Sequence, residues 1–474
     1  MLRKALDTPL LLKKLRRSMD EMRILMAHMD KPGQTSIKEY EKNGGYRAVR
    51  KAIPAISPQT LVDMVKQSEL RGRGGAGFLT GMKWGFIPRN PALPKYLVCN
   101  CDESEPGTFK DRLLIEKDPH QLIEGMILSS YAIGAKVAFI YCRGEYYEGN
   151  RLLRQAVQEA KEKGYLGSSL FGTDHSLEII VHPGAGAYIA GEETALLNSL
   201  EGYRATPRLK PPFPAVAGLY RQPTIVNNVE TLCNVVHIVN NGVEWFRKIG
   251  KPKNTGTKIY QISGQVQKPG CYEFPLGVSL SDVIEKAGGI LPGRTFKACY
   301  PGGSSCALLT EKDIDISLDF ETLTARGTAL GTASLIVMDD SADMVKVAHR
   351  LMQFYQNESC GKCTPCREGT RWMVQVLARI EAGGGTFGDL PLIEQVCKDM
   401  AANSFCALAV GAAPPIVSAI LEFRNEFEDY IKRNPKANLQ PEMKVSYPYQ
   451  EIGNQKLEDG HQKLAVLNNK VQSL

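Results

Sequence analysis

The sequence predicts an α/β protein in which a parallel-sheet domain is followed by a small α+β domain and a C-terminal bundle of helices. Short apolar strand patterns alternate with helical patterns between residues 56 and 250, and this alternation is typical of parallel strands joined by right-handed crossovers. From about residue 255, short strands and one short helix are mixed. From Ser341 onwards the periodicity is helical.

Three strand patterns define the predicted sheet, at residues 95–101, 136–142 and 177–181. The helical patterns that follow them are 118–133, 148–163 and a helix beginning near Glu192. A further helix precedes the sheet, with Ser57 as its N-cap and Pro58 at its first position. Ligands of such sheets bind at the carboxyl ends of the strands, so the loops there are candidate site loops.

Five segments divide the chain. They are an N-terminal helical and extended segment (1–55), the α/β domain (56–250), the small α+β domain (251–340), the helical bundle (341–435) and a polar tail (436–474). Within the first segment, residues 1–31 are rich in Lys and Arg and predict an exposed amphipathic helix that docks a partner. The helices expected in the bundle are 342–357, 365–381, 390–402 and 412–431.

The composition excludes several classes of protein. Hydrophobic residues make up 43% of the chain, charged residues 23%, and the net charge is +7, with no basic patch interleaved with aromatics, so nucleic acid is not an expected partner. The most apolar stretch, 405–421, is interrupted by Gly411 and two prolines, so we expect no membrane span. Twelve cysteines without a secretory signal favour a metal centre over a disulfide framework.

A glycine-rich stretch at 71–84 is the first candidate binding element, since five of its fourteen residues are glycine. Backbone N–H groups without Cβ atoms suit an anionic cofactor phosphate, and Lys83 supplies a cation nearby. A G-x-G-x-x-G spacing begins at Gly72, but a helix rather than a strand precedes it, which argues against an ordinary dinucleotide fingerprint. The alternative is a flexible turn, which would not carry the flanking aromatics Phe78, Trp84 and Phe86.

Two loops at equivalent strand ends combine small residues with clustered acids, at 100–112 and 183–194. One acidic pair at a helix start is explained by the helix dipole alone. Two such loops beside a glycine cradle favour a shared ligand site.

A cysteine triplet predicts a metal cluster in the bundle. Cys360, Cys363 and Cys366 have the spacing C-x2-C-x2-C, which lets three thiolates face one iron–sulfur cube. We expect Cys406, beyond a predicted helix end, to be the fourth ligand; the alternative is Cys397, in mid-helix. The other possible metal is zinc, which more often uses two separated C-x2-C pairs, so a [4Fe–4S] cluster is favoured. We expect most of the remaining cysteines to be buried small hydrophobes, namely Cys99, Cys101, Cys142, Cys233, Cys271, Cys299 and Cys306.

Six motifs occur in order: RGRGGAGF (71–78), DESEPG (102–107), GEET (191–194), PRLKPP (207–212), VNNVET (226–231) and ESCGKCTPCREG (358–369). Over residues 44–430 the chain closely resembles the flavin-bearing, NADH-oxidising subunit of respiratory complex I. The sequence departs from the family at Leu79, where proline is usual, and at Cys101, where alanine is usual.

The resemblance implies a Rossmann-like domain with FMN and NADH in one cavity, a β-grasp-like small domain and one [4Fe–4S] cluster in the helical bundle. The implied FMN contacts are Gly72, Gly74, Lys83, Asn100, Asp102, Glu103, Gly191, Glu192, Asn227, Asn228 and Thr231. The implied NADH contacts are Phe78, Phe86, Glu105, Tyr188, Glu193 and Lys210. No protein acid or base is expected to take part, because the hydride passes directly to FMN.

The resemblance also implies an assembly. Electrons from NADH would pass through FMN and the cluster towards quinone, with a [2Fe–2S] subunit and a large Fe–S subunit as neighbours. The chain would then lie on the inner face of the cell membrane, or on the matrix side in a mitochondrion, reaching the membrane only through the complex. The alternatives are the NADH-reacting (diaphorase) subunit of a soluble NAD-dependent hydrogenase or formate dehydrogenase, and a non-catalytic Fe–S scaffold protein.

Overall fold

The computed structural model describes residues 20–90 and 92–435. The expected polar tail at 436–474 and the first nineteen residues of the expected N-terminal helix lie outside these ranges. The described part of that helix, residues 20–31, forms turns instead, which corrects the prediction. The cause is a buried carboxylate: Glu273 accepts the backbone N–H groups of Ile24, Leu25 and Met26 at 2.8–3.0 Å, in place of helical carbonyls.

The α/β domain is built on a four-stranded parallel sheet with the order β3–β2–β1–β4. Its strands are β1 (Tyr96–Cys101), β2 (Val137–Cys142), β3 (Glu178–Pro183) and β4 (Thr224–Asn228). The chain steps from β1 outwards to β3 and then crosses to the other side of β1 to form β4. The switch point therefore lies between β1 and β4, where ligands of open α/β sheets bind.

The helices of this domain begin before the sheet and cover it. They are α1 (Ile37–Lys42), α2 (Arg47–Ala52), α3 (Pro58–Gln67), α4 (Thr80–Gly85), α5 (Lys110–Lys117), α6 (Pro119–Ile133), α7 (Tyr147–Glu162), α8 (Glu193–Leu200), α9 (Pro214–Ala217), α10 (Val229–Asn241) and α11 (Val243–Arg247). Ser57 caps α3 as predicted, accepting the N–H of Thr60. All fifteen residues of α6 are buried, so this helix forms the centre of the domain.

The small domain contains a five-stranded mixed sheet with the order β10–β9–β11–β7–β8. A two-stranded ribbon precedes it, formed by β5 (Gly250–Lys251) and β6 (Asn254–Thr255). The other elements are β7 (Thr257–Gly264), β8 (Gly270–Pro275), α12 (Leu280–Lys286), β9 (Phe296–Tyr300), β10 (Leu309–Thr310), α13 (Phe320–Ala325) and β11 (Ser334–Asp339). A separate apolar core fills this domain, and Val283, Leu309 and Leu335 are fully buried in it.

The bundle consists of α14 (Met344–Glu358), α15 (Thr364–Glu381), α16 (Asp389–Asn403), α17 (Ala407–Glu422) and α18 (Arg424–Lys432). The single helix expected at 412–431 is two helices. The first begins five residues earlier and carries Pro414 and Pro415 inside it, and the chain bends by 77° into the second at the non-helical Phe423. Within the described ranges no single helix meets the length and hydropathy of a membrane span; this bent pair does so only when its two helices are counted together.

Candidate functional site

The glycine-rich stretch forms a closed loop between α3 and α4. Arg71 and Leu79 pair as an isolated antiparallel bridge, and Gly72 N–H donates to the Phe78 carbonyl at 2.8 Å. At the turn Gly75 and Gly77 have φ values of 137° and 67°, a backbone region that side chains with a Cβ rarely occupy. The loop is therefore an ordered cradle and not a solvated linker.

The cradle packs against the carboxyl end of β4. The N–H of Arg73 donates to Thr231 Oγ1 at 2.8 Å. A Cβ built on Gly74 would lie 2.9 Å from the Cβ of Asn228, closer than real contacts of this kind. Glycine at position 74 thus lets the loop approach β4 at the switch point of the sheet.

The loops after β1 and β3 meet at the same edge. Asn100 Nδ2 donates to the Gly191 carbonyl at 2.8 Å, and Asn100 Oδ1 accepts the N–H of Asp102 at 3.1 Å. Burial raises the pKa of Asp102 to about 7, although Ser104 and Arg143 act in the opposite direction. Asp102 Oδ1 is buried and has no hydrogen-bond partner among the described residues.

Four further predicted FMN residues at this edge have side chains that bond to protein partners. Glu103 accepts the N–H groups of Asp111 and Arg112 at 2.9 and 3.0 Å, so its carboxylate caps α5. Asn227 accepts a 2.8 Å hydrogen bond from the indole of Trp84. The amide of Asn228 accepts a hydrogen bond from Lys110 and donates one to Asp111. The hydroxyl of Thr231 accepts the backbone N–H of Arg73. These side chains shape the edge of the sheet, and the capping role of Glu103 was not expected from the sequence.

A compact group of charges lies where α8 begins. Glu192 caps the helix through Oε2, and its Oε1 lies 3.2 Å from Lys210 Nζ. Glu193 pairs with Lys83 at 2.8 Å and with Lys210 at 3.2 Å. Burial alone would raise the pKa of Glu193, but the two lysines lower it to about 2. The predicted phosphate-binding Lys83 is thus neutralised by Glu193 in this structure.

Two further pairs of predicted NADH residues are brought together. The Phe78 and Phe86 rings lie 6.1 Å apart and are 45% and 56% exposed, so they form an apolar rim. The hydroxyl of Tyr188 donates to Glu105 Oε2 at 2.6 Å. The other oxygen of Glu105 accepts the backbone N–H of Ser305 at 2.8 Å, which ties the site to the small domain. Burial raises the pKa of Glu105 despite these donors.

The cysteine triplet and Cys406 lie around one point of the bundle. Cys363 and Cys406 occupy the N-cap positions of α15 and α17, where helix dipoles stabilise thiolates. Burial and the neighbouring triplet thiols raise the pKa of Cys406 to about 12, and burial together with Cys363 and Cys360 raises that of Cys366 to about 11. Cys397 is fully buried inside α16, and besides burial only Glu394 raises its pKa.

Nothing in the described ranges gathers three His, Cys, Asp or Glu side chains tightly enough for a single metal ion. A single zinc ion would need all four thiolates within about 2.3 Å of one point, whereas in a cluster each thiolate binds a different iron, so the four sulfurs lie farther from one another. The four thiols and the two helix N-termini therefore fit the cluster better than the zinc alternative.

The thiol loop is joined directly to the α/β domain. Arg204 donates to the carbonyl of Cys360 at 3.1 Å, and Lys362 Nζ donates to the carbonyl of Pro207 at 2.6 Å. The N–H of Tyr188 donates to Glu358 at 2.9 Å. The segment 204–210 thus links the cysteines to the charges at the start of α8, where Lys210 and Lys83 share Glu193.

Three family models match the chain in order. They are the Nuo51 FMN-binding domain at residues 65–237, the SLBB domain at 259–307 and the NADH-ubiquinone oxidoreductase-F iron-sulfur binding region at 346–430. The NADH-quinone oxidoreductase F subunit 2 of Rhizobium meliloti is 55% identical over 410 residues, covering 86% of this chain and 97% of the relative. The NADH-quinone oxidoreductase F subunit of Escherichia coli is 48% identical over 400 residues, covering 84% and 90%.

The chain belongs to the family of NADH-quinone oxidoreductase F subunits. Among solved structures, that of an NAD+-reducing [NiFe]-hydrogenase in the H2-reduced state matches with a TM-score of 0.76 and 36% identity, covering 86% of this chain and 67% of that one. These matches confirm the predicted family and the α/β fold class with its helical Fe–S region. They also confirm the predicted cofactors, FMN and a [4Fe–4S] cluster.

The residues at the switch point fit FMN. Asp102 Oδ1, which lacks a hydrogen-bond partner among residues 20–90 and 92–435, is an acceptor that a ribityl hydroxyl or a flavin N–H would satisfy, as a buried polar atom requires. At the same edge, the glycine cradle leaves the backbone of Gly75 open, with no atom within 4 Å of a Cβ built there. Both features are properties of this chain's own structure and do not depend on the comparison with its relatives.

A buried ionic network beside the site was missed by the sequence analysis. Lys110 pairs with Asp111 at 2.6 Å and with Glu230 at 3.1 Å, and Glu230 also pairs with Lys258 of β7. Burial would raise the pKa of Glu230, but the two lysines lower it. The only signal was the position of Lys110 and Asp111 within the candidate loop at 100–112 and of Glu230 within the motif at 226–231, since charged residues at helix starts usually face solvent.

Proposed function

We propose that this chain oxidises NADH at FMN in the α/β domain and passes electrons singly to a [4Fe–4S] cluster held by Cys360, Cys363, Cys366 and Cys406. The observation that carries the proposal is the link between the thiol loop and the segment 204–210 of the α/β domain, made by Arg204 and Lys362. Lys210 of that segment shares Glu193 with Lys83 of the glycine-rich stretch. The proposed domain limits are 56–250, 251–340 and 341–435.

The protein would act mainly by alignment. When bound, FMN accepts a hydride from the nicotinamide and releases the electrons one at a time, which is chemistry that no side chain supplies. The Gly72–Gly77 backbone and Asn100 would fix the flavin, and Asp102 would accept its hydrogen bond. Alignment of this kind contributes a large share of the rate in such reactions.

The dinucleotide would lie along the rim formed by Phe78 and Phe86. Aromatic faces suit the flat rings of NADH. Glu193 and Glu105 would accept hydrogen bonds from ribose hydroxyls, because carboxylates held by lysine, hydroxyl and N–H donors stay oriented. Lys210 would balance the charge of the pyrophosphate.

The electrons need an acceptor outside this chain. As in the relatives, whose names specify a quinone oxidoreductase, we place the chain in an NADH:quinone oxidoreductase. Its neighbours would be a [2Fe–2S] subunit and a large Fe–S subunit. The complex would hold it at the inner face of the cell membrane, or on the matrix side in a mitochondrion.

A second candidate is the diaphorase subunit of a hydrogenase. The structural match to an NAD+-reducing [NiFe]-hydrogenase supports it, but the relatives at 48–55% identity carry the quinone oxidoreductase name. Isolation of the native complex distinguishes the two. Recovery with proton-pumping membrane subunits supports our assignment, and recovery with a nickel-containing partner overturns it.

Anaerobic titration of the purified complex with NADH tests the chemistry. We expect loss of flavin absorbance, followed by the electron paramagnetic resonance signal of a reduced [4Fe–4S] cluster. A preparation that holds the cluster but no flavin would support the scaffold alternative. Flavin that NADH does not reduce would refute the proposed activity.

A further inference from the structure

Two cysteines lie side by side at the edge of the sheet that carries the site. Cys101 and Cys142 are the last residues of β1 and β2, and they are paired in register across the two parallel strands. Their Sγ atoms are 3.7 Å apart, and Cys101 donates a hydrogen bond to the sulfur of Cys142. Both side chains are fully buried.

This geometry is close to that of a disulfide. Neighbouring strands lie about 4.8 Å apart, within the range of about 4.4–6.8 Å that a disulfide requires between Cα atoms. The sulfurs would need to approach by roughly 1.7 Å to reach the bond length of about 2.05 Å. A single metal ion is a poor alternative occupant, because among the described residues no third His, Cys, Asp or Glu side chain joins these two thiols in a group that could hold one.

We propose that Cys101 and Cys142 are an oxidation site that hydrogen peroxide closes to a disulfide. One sulfur attacks a peroxide oxygen, which forms a sulfenic acid and releases one water molecule. The second sulfur displaces that hydroxyl, which takes up the remaining thiol proton and leaves as a second water. The two thiols lose two electrons and two protons, and the peroxide is reduced to two water molecules. A dithiol reductant reverses the reaction.

The two cysteines lie at the edge of the sheet where we propose that FMN binds, so a change in their positions affects that site. Cys101 stands between Asn100 and Asp102, and its carbonyl accepts the N–H of Arg143 at 3.1 Å. The carbonyl of Cys142 accepts the N–H of Gly184, which begins the loop after β3. Closing the sulfurs shifts both strand ends, and a displacement of a fraction of an ångström there disturbs the alignment of reactants. We expect a roughly tenfold loss of NADH oxidation, an expectation that rests on the proposed function.

Burial controls the rate of the reaction. The hydrogen bond to Cys142 and burial both raise the pKa of Cys101 well above its ordinary value, so the thiol form dominates. Thiols react with peroxide as thiolates, and the pair therefore responds to sustained rather than brief exposure.

Peptide mapping of the intact complex tests the site without reference to activity. The complex is treated with hydrogen peroxide, free thiols are blocked, and the chain is digested with trypsin without reduction. We expect peptides 96–110 and 137–143 to be joined, lighter by two hydrogens than their sum, and to separate after dithiothreitol. Because the first peptide also contains Cys99, the Cys101→Ala variant is mapped in parallel. Recovery of Cys101 and Cys142 as free thiols, or a link that persists in Cys101→Ala, overturns the proposal.

Activity measurements test the coupling. Wild-type complex should lose NADH:ferricyanide activity with peroxide and regain it with dithiothreitol, whereas Cys101→Ala and Cys142→Ala should be protected. Cys299→Ala is the matched control, because Cys299 is equally buried but contacts a backbone carbonyl instead of a thiol. It should behave as wild type. Equal losses in all variants, or a joined peptide with an unchanged rate, overturn the coupling, and absence of NADH oxidation before any peroxide is added refutes the proposed function instead.

Discussion

Replacing Glu193 by glutamine removes the one negative charge that Lys83 and Lys210 share. The two lysines lower the pKa of Glu193 from its ordinary 4.5 to about 2. This lowering corresponds to about 3 kcal/mol of favourable interaction with the ionised carboxylate. Because the folded-state pKa is lowered, that interaction is fully present above pH 4.5 and is lost as the pH falls towards 2. Assays near neutral pH therefore compare a fully ionised Glu193 in the wild type with an uncharged glutamine in the variant.

The substitution should change the choice between NADH and NADPH. In the wild type, Glu193 repels the 2′-phosphate of NADPH and neutralises Lys83. Glu193→Gln removes the repulsion and leaves Lys83 able to pair with that phosphate, while Lys210 keeps its pair with Glu192. Screening by solvent leaves roughly 1–3 kcal/mol, which is about one to two decades in the ratio of kcat/KM values. Dinucleotide enzymes commonly use an acid in this way.

Steady-state kinetics with ferricyanide as acceptor measure both substrates without the rest of the electron-transfer chain. FMN content is measured in the same samples and should stay unchanged. The matched control is Glu192→Gln, which keeps an acceptor for the N–H groups of Thr194 and Ala195 and leaves the pair between Lys83 and Glu193 intact. An unchanged ratio in Glu193→Gln, or an equal rise in Glu192→Gln, would assign Glu193 to helix capping and charge balance alone.

Three further substitutions test the site. Cys406→Ala should abolish the [4Fe–4S] resonance signal with flavin retained, whereas Cys397→Ala, buried within α16, should keep both. Gly74→Val should lower FMN content several-fold in absorbance measurements, because its Cβ lies 2.9 Å from the Cβ of Asn228 and pushes the loop from β4. Asp102→Asn should lower FMN content but stabilise the flavin-free protein near pH 8 by about 1–3 kcal/mol in thermal unfolding. Its buried carboxyl has a pKa raised to about 7, so ionisation costs stability as the pH rises.

Each of these tests has an outcome that contradicts it. An intact cluster in Cys406→Ala together with its loss in Cys397→Ala would move the fourth ligand into α16. Full flavin occupancy in Gly74→Val would show that the loop does not bind the cofactor. Gly85→Ala is the control, because no atom of the described residues lies within 4 Å of the Cβ that it adds. Equal pH dependence of stability in Asp102→Asn and wild type would show that another group titrates.

Much of the fold was predictable because its signals are local. The three predicted strands agree with β1, β2 and β3 to within two residues at each end, since a short apolar run between polar turns depends only on neighbouring positions. The strand β4 was not predicted, because its five residues end in Asn227 and Asn228 and resemble a polar motif. Pairing with β1 buries it, and no local pattern contains that pairing.

In the site, too, features set by neighbouring residues were predictable and features set by distant contacts were not. The glycine loop and the cysteine triplet were recognisable from spacing, because each places its functional atoms within a few residues. The capping role of Glu103 was not predictable, because its carboxylate oxygens accept N–H groups of a helix that begins seven residues later. The ionic network around Glu230 joins β7 to α10, so its members become neighbours only when the two domains pack.

The sequence by itself determined the class of fold, the family and the two cofactors, because these depend on short motifs and on hydrophobic periodicity. Only the tertiary structure decided which distant groups meet. It brings Cys406 beside the triplet thiols, Glu193 between two lysines, and Cys101 next to Cys142. The physical reason is strand register and helix packing. Both bring together side chains separated by 17 to 110 positions, and they are set by the burial of the whole core and not by any neighbouring residue.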